Sequence, residues 1–358
     1  MQIYGVHAVA DLLDDFVAYR NIRPADTRLP GLADIAPNTQ PRKGDEAYAN
    51  VAVTILHAAQ QLRNAPHIQR FCMIGDTRQS DGGTYTTIAK RTGWAGAAFI
   101  CDEKPNDSPS YAPSSEAGIM LSNRWSHIEA FSAQHIIDSA TAIIIDLDKT
   151  LIGARGRNHQ LIDAARLTAL KSAVIDVLGD NYDEATFSET YHRFNQPRFH
   201  RFTGDNQDFL AFICVMAGGK IISQDALTAM LEQGIMRTFD HFVDLTEARI
   251  AAFSSPLFTF HAQFAQLYRI GDMTPFKAFR YIEYTETAKR FGCAPSSLTA
   301  QEMLQQEIAI TGELWQQAQR WKAQGALLFG LSDKPDEAAC GTGESQPIHR
   351  LHTHVIGT

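Results

Sequence analysis

The chain has no long apolar run, no paired cysteines and no excess of positive charge. Its longest apolar stretch, Phe209 to Ala217, stops at Gly218-Gly219-Lys220, far short of the roughly 20 residues a membrane helix requires. Five cysteines (Cys72, Cys101, Cys214, Cys293 and Cys340) stand singly, with no CxxC pair and an odd total. Reduced, packed thiols are therefore expected, not a disulfide scaffold. The opening residues, Met1-Gln2-Ile3-Tyr4-Gly5, lack the basic start and apolar stretch of a signal peptide, so a cytoplasmic location is expected. A net charge of −8 argues against a general nucleic-acid binder, although a local basic patch can still serve a phosphorylated ligand. Internal repeats and low-complexity tracts are also missing. What is present is the balance of a globular protein, 44% hydrophobic and 20% charged. At 358 residues, two domains are the natural expectation.

Two regions differ in pattern. From residue 44 to 150, helix-like and strand-like segments alternate. Apolar residues recur at helical spacing from Asp45 to about Arg63, and Arg70–Ile74 reads as a short buried strand closed by Gly75-Asp76. A helix over Thr84–Arg91 ends at Gly93, and Ala97–Cys101 reads as the next strand. Residues 103–115 read as a polar, proline-containing loop, followed by a further helical segment. Such alternation favours a parallel sheet covered by helices. Between Ile152 and Lys322, helical blocks dominate (161–178, 207–216, 225–242, 246–253, 275–291 and 299–324). The chain returns to a strand at Ala326–Leu331, and His352–Gly357 reads as a last one.

The densest chemical signal is Ala142-Ile-Ile-Ile-Asp146-Leu-Asp148-Lys-Thr150. An apolar run of this kind reads as a buried strand, and residues i and i+2 of an extended chain project to the same side. Asp146 and Asp148 can therefore face one reaction centre. Two carboxylates so close repel each other, and the arrangement calls for a cation or a shared proton. The segment resembles the nucleophile motif of the haloacid dehalogenase-like superfamily, Asp-x-Asp-x-Thr/Val after an apolar strand.

That resemblance implies further parts, and the sequence offers each. Ser332, directly after the strand Ala326–Leu331, is similar to the superfamily's hydroxyl motif. Gly75-Asp76-Thr-Arg-Gln-Ser-Asp81 is similar to its acidic motif, which helps to bind Mg²⁺. Lys43, ahead of the helix that feeds this strand, stands where the superfamily places its lysine; Lys334 is a rival beside Ser332. The lysine and acidic motifs thus precede Asp146, and the hydroxyl motif comes last. Only 26 residues follow Ser332, too few for two more strand–helix units when one βαβ unit takes roughly 30. The economical reading is a circularly permuted core, which requires the original ends, joined here by the link from Cys101 toward Ala142, to lie close together, and predicts that Met1 and Thr358 are near neighbours.

The resemblance implies an α/β fold, a doubly wound parallel sheet from residues 1–150 and 325–358, with an inserted all-α cap over 151–324. It implies a Mg²⁺-dependent phosphatase acting on a small phosphorylated metabolite. Asp146 would be the nucleophile, Asp148 the acid and base, and Lys43 and Ser332 the groups that hold the phosphate oxygens. The metal would take Asp146, Asp148 through its carbonyl, Asp76 and Asp81. A phosphotransferase using the same aspartyl-phosphate, or a silent phosphate-binding or scaffolding protein on the same fold, are the alternatives. Two other features stand out. Tyr191-His-Arg-Phe-Asn-Gln-Pro-Arg-Phe-His-Arg-Phe202 mixes cations with aromatics, a composition suited to gripping a phosphate or stacking on a base, and equally to a loop rich in surface cations. His349, His352 and His354 have a spacing open to a transition metal, but no cysteine or carboxylate completes the set.

Overall fold

The computed structural model describes residues 1–20, 25–30, 43–250, 255–343 and 345–358. In chain order the strands are β1 (Gln2–Ala8), β2 (Val17–Ala18), β3 (Arg70–Gly75), β4 (Ala95–Cys101), β5 (Tyr111–Pro113), β6 (Ile119–Ser122), β7 (Thr141–Ile145), β8 (Ile310–Thr311), β9 (Leu327–Leu331) and β10 (His352–Gly357). Seven of them form one sheet in the order β2-β9-β7-β3-β4-β6-β5, parallel throughout except for the edge strand β5. The chain is therefore an α/β protein with a mostly parallel sheet. Among the described residues, no helix is long and apolar enough to cross a membrane.

The middle of this sheet is dry because its strands are apolar on both faces. Ile143, Ile144 and Ile145 of β7 are each fully buried, the pattern of a parallel strand covered from both sides. On one face, Ala142 and Ile144 join Phe71 and Met73 of β3 and Phe329 of β9 against the helix Glu46–Leu62. That helix presents Tyr48, Val51, Ala52, Ile55, Leu56 and Ala59 inward, the i, i+3, i+4 stripe read in the sequence. Register then fixes the site. Ile145 pairs with Ile74 on one side and Gly330 on the other, so β3, β7 and β9 end level. After β3 the chain crosses to β4, and after β7 it returns to β9 on the opposite side. The gap between β3 and β7 is thus a topological switch point, where open α/β sheets bind ligands.

A second, three-stranded sheet has the order β1-β10-β8. In it Gln2 pairs antiparallel with Gly357, so the first and last strands are neighbours. The chain divides into two compact units, residues 1–165 with 287–358, and 166–286. The helical insertion expected over 151–324 is therefore shorter at both ends. Ile310 and Thr311 pair with Val355 and Ile356 of β10, which places β8 in the first unit. The second unit is helical, with a core of Phe209, Phe212, Phe239, Phe242 and Phe264. Phe212 and Phe264 stack at 4.1 Å between ring centroids.

Several local expectations shift. The block 299–324 is broken: a helical turn Ala300–Met303, then β8, then the helix Gly312–Ala323. The block 225–242 is two segments, Gln224–Glu232 and the start of Phe239–Ile250. The block 246–253 continues the second of these, and its residues 251–253 lie outside the described residues. Residues 111–113 of the expected loop pair with β6 as β5.

Candidate active site

Four stretches distant in sequence meet at the level ends of β9, β7 and β3. Asp146 follows β7 directly, and its amide donates to the Ile74 carbonyl at 2.9 Å, carrying the sheet one residue further. Asp76 follows β3. Asp81 lies in the π-turn Arg78–Gly82, a wide turn with an i→i+5 bond from the Gly82 amide to the Thr77 carbonyl, and its carboxylate reaches back to the strand end. One Asp81 oxygen accepts from the amides of Asp76 and Thr77 at 3.1 and 3.0 Å. Gly75 makes room for this: a Cβ there would lie 2.3 Å from the Asp81 carboxyl carbon.

Lys43 ties the cluster together. Its Nζ donates to Asp81 at 2.6 Å, to Asp146 at 2.7 Å and to the Leu331 carbonyl of β9 at 3.3 Å. Burial alone would strip this ammonium of its proton, but Asp146 and Asp81 hold it charged, well above the ordinary lysine value. Burial and the repulsion of Asp81 push the Asp76 carboxyl up to about 6, against the pull of Arg155. Asp146 is also raised by burial and by its two acidic neighbours, with Lys43 opposing. Three buried carboxylates thus converge on too little positive charge.

Ser332 is fully buried at the end of β9, and its hydroxyl oxygen accepts from the Lys334 amide at 3.2 Å. Its own amide donates to Ala18 of β2 at 3.0 Å. Asp148 is half-buried, and the buried Lys334 Nζ stands 3.6 Å from its carboxylate. The two rival lysines therefore stand by different aspartates: Lys43 sits on Asp146, and Lys334 sits beside Asp148. Past Asp148 the chain turns sharply, with Lys149 at φ 68° and a bridge from Asp148 to Ile152. That turn brings Arg155 Nε onto the Asp76 carboxylate.

The donor set suits a hard divalent cation. One carboxylate oxygen each of Asp76, Asp81 and Asp146 lie within 4.8 Å of one another, and oxygen-only donors are what Mg²⁺ prefers. Asp81 has both oxygens engaged, one by Lys43 and one by backbone amides, so it serves Lys43 and the loop as much as any ion. Asp148 is absent from this group; its carbonyl was the expected donor.

Sequence reasoning missed Arg155 and Tyr48. Arg155 stands in Gly153-Ala154-Arg155-Gly156-Arg157, with both glycines at positive φ, a turn signal directly after the aspartate motif. The Tyr48 hydroxyl is buried and has no hydrogen-bond partner among the described residues, beside the charges of Lys43 and Asp146. The three C-terminal histidines do not converge on one ion. His349 bonds to Tyr19 at 2.7 Å and to Asp15 at 3.1 Å, His354 bonds to Glu307 at 2.6 Å, and His352 is exposed. No family model, curated protein or solved structure matches the chain.

Proposed function

We propose that the chain is a Mg²⁺-dependent phosphohydrolase of the haloacid dehalogenase-like kind, with a circularly permuted core. One observation carries the reading: Lys43, Asp76, Asp81 and Asp146, drawn from separate segments, form a single buried cluster beside Ser332 at the switch point of a parallel sheet. The β1–β10 pairing, which puts Gln2 opposite Gly357, agrees with a rearranged chain order.

In this mechanism an Asp146 oxygen attacks the phosphorus of a phosphomonoester, and the bond to the leaving oxygen breaks. Asp148 gives that oxygen its proton, then takes one from the water that hydrolyses the aspartyl-phosphate. Lys43 and the Ser332 hydroxyl hold the equatorial oxygens where negative charge accumulates. The Lys334 ammonium lies close enough to Asp148 to steady its carboxylate between the two steps. Asp76, Asp146 and the Asp148 carbonyl would hold Mg²⁺, which when bound supplies the charge that lets a carboxylate approach an anionic phosphate.

The test is a panel of phosphomonoesters with Mg²⁺, together with chemical trapping of an acyl-phosphate on Asp146. Turnover that vanishes in Asp146→Asn is the expected result. Turnover that survives this change would refute the mechanism, and no turnover with no trapped adduct would leave only a phosphate-binding protein.

A further inference from the structure

The helical unit contains a cavity of about 570 Å³ that the carboxylate cluster does not use. This volume lies within the roughly 300–1,000 Å³ of small-molecule sites. Its walls come from the cation-and-aromatic stretch ending at Phe202 and from the turn around Gly234. The turn Pro197–Phe199 runs straight into the short helix His200–Thr203. Residues three apart share a face of such a segment. Phe199 and Phe202 accordingly turn inward, and Arg198 and Arg201 turn outward to the rim.

The floor is apolar and fixed. Phe199 packs on Phe194 at 5.0 Å between centroids, and Phe202 packs on Phe239 and Phe242 at 5.6 and 5.9 Å. Met236 is buried beside them. The rim is cationic: Arg198, Arg201 and Arg237 face a single acid, Glu232. Arg237 is aimed by a bond from its Nε to the Gly234 carbonyl at 2.9 Å, and Arg198 lies 4.6 Å over the Phe199 ring. Among the described residues, none of these three guanidinium groups has a carboxylate partner. Nearby Arg193, by contrast, pairs with both Glu189 and Asp225.

Three like charges around one concavity repel one another, and they do so on a chain of net charge −8. An anion resolves that repulsion, and guanidinium groups match phosphate oxygens in pairs. An apolar floor asks in addition for a ligand with a flat or apolar body. Glu232 on the same rim opposes an extended polyanion. We propose that this pocket binds a small organic phosphate, its phosphate held by Arg198, Arg201 and Arg237 and its body laid on Phe199, Phe202 and Met236. The assignment is independent of the carboxylate site and of the chemistry proposed there.

The test is titration calorimetry of the full chain in EDTA with adenosine 5′-monophosphate, and with inorganic phosphate for comparison. The variants are Arg198→Ser, Arg201→Ser, Arg237→Ser and the triple change. All three side chains are exposed, so the fold should survive, and circular dichroism checks that it does. Saturable nucleotide binding is expected, stronger than that of inorganic phosphate. Each single change should weaken it on the order of tenfold, and the triple change should abolish it. No saturable binding at millimolar nucleotide would overturn the proposal, and so would affinity unchanged in the triple variant, since the ligand would then sit elsewhere.

Discussion

Replacing Lys43 by methionine keeps most of the side chain's length and apolar stem and removes its charge. In the native cluster the ammonium lies 2.6 Å from Asp81 and 2.7 Å from Asp146, with side-chain exposures of 1%, 2% and 7%. Water cannot replace it there. Removing one partner of a buried ion pair costs about 3–5 kcal/mol, because the charge left behind has neither solvent nor partner. A domain of this size loses about 2–4 °C of melting temperature per kcal/mol, so Lys43→Met should melt roughly 6–20 °C lower in EDTA. Asp146→Asn alone should cost less, since Lys43 keeps Asp81. The double change Lys43→Met with Asp146→Asn should recover part of the loss, giving a coupling energy of about 1–3 kcal/mol. Thermal unfolding in EDTA, followed by near-ultraviolet circular dichroism, measures all four proteins. If Lys43→Met melts at the wild-type temperature, or if the two changes simply add, the lysine does not hold the carboxylates together.

Four further outcomes follow from the same geometry. Gly75→Ala drives a Cβ into the Asp81 carboxyl group; it should cost about 1–3 kcal/mol by overpacking and abolish turnover, read by urea unfolding and phosphate release. Tyr48→Phe removes a buried hydroxyl that has no partner among the described residues, so stability should hold or rise by up to about 1–2 kcal/mol, and a loss of that size would show that the hydroxyl is bonded to a group beyond them. Asp76→Asn should weaken Mg²⁺ binding in calorimetry more than Asp81→Asn does, because Asp81 has both oxygens committed to protein donors. Burial raises the Glu313 carboxyl, yet the Arg157 guanidinium overrides it and holds it below the ordinary value. Its contribution is therefore full above the unfolded glutamate value of about 4.3 and is lost as pH falls through the lower folded value. The gap in urea midpoint between wild type and Glu313→Gln should narrow as pH drops below about 4.

The parts of the site that were legible in sequence share one property: a buried strand that ends abruptly in a polar residue. Ile143–Ile145 before Asp146, Phe71–Ile74 before Gly75-Asp76, and Leu327–Leu331 before Ser332 all read this way, and all three strands lie side by side. Lys43 and Asp81 were picked out through the resemblance, Lys43 by standing where the superfamily places its lysine and Asp81 by its place in a stretch similar to the acidic motif. Arg155 was not legible because its partner, Asp76, lies 79 residues away, and only the completed turn brings them together. Of the strands that escaped notice, β1, β2, β5, β6 and β8, both β8 and β5 interrupt an expected pattern and are held by pairing. β8 has two residues within a run of helical composition, and it is a strand only because Val355 and Ile356 lie beside it. β5 ends in Pro113 at the sheet edge, where a missing amide is tolerated. Residues 151–165 and 287–324 went to the wrong unit for the same reason: helical periodicity does not say which core a helix joins.

The insertion between β7 and β9 has a consequence for how the chain reaches its fold. These two strands are partners, yet the whole helical unit separates them in sequence, and closing so long a loop is costly in entropy. Within that unit, Arg166 near its start bonds to Glu283 near its end at 3.0 Å. A helical unit that forms first therefore delivers its two ends already close together. The loop still to be closed becomes roughly threefold shorter, easing the β7–β9 pairing by about 1 kcal/mol. The helices would then act on folding order, as a splint that brings Ile145 and Gly330 within reach before the sheet exists.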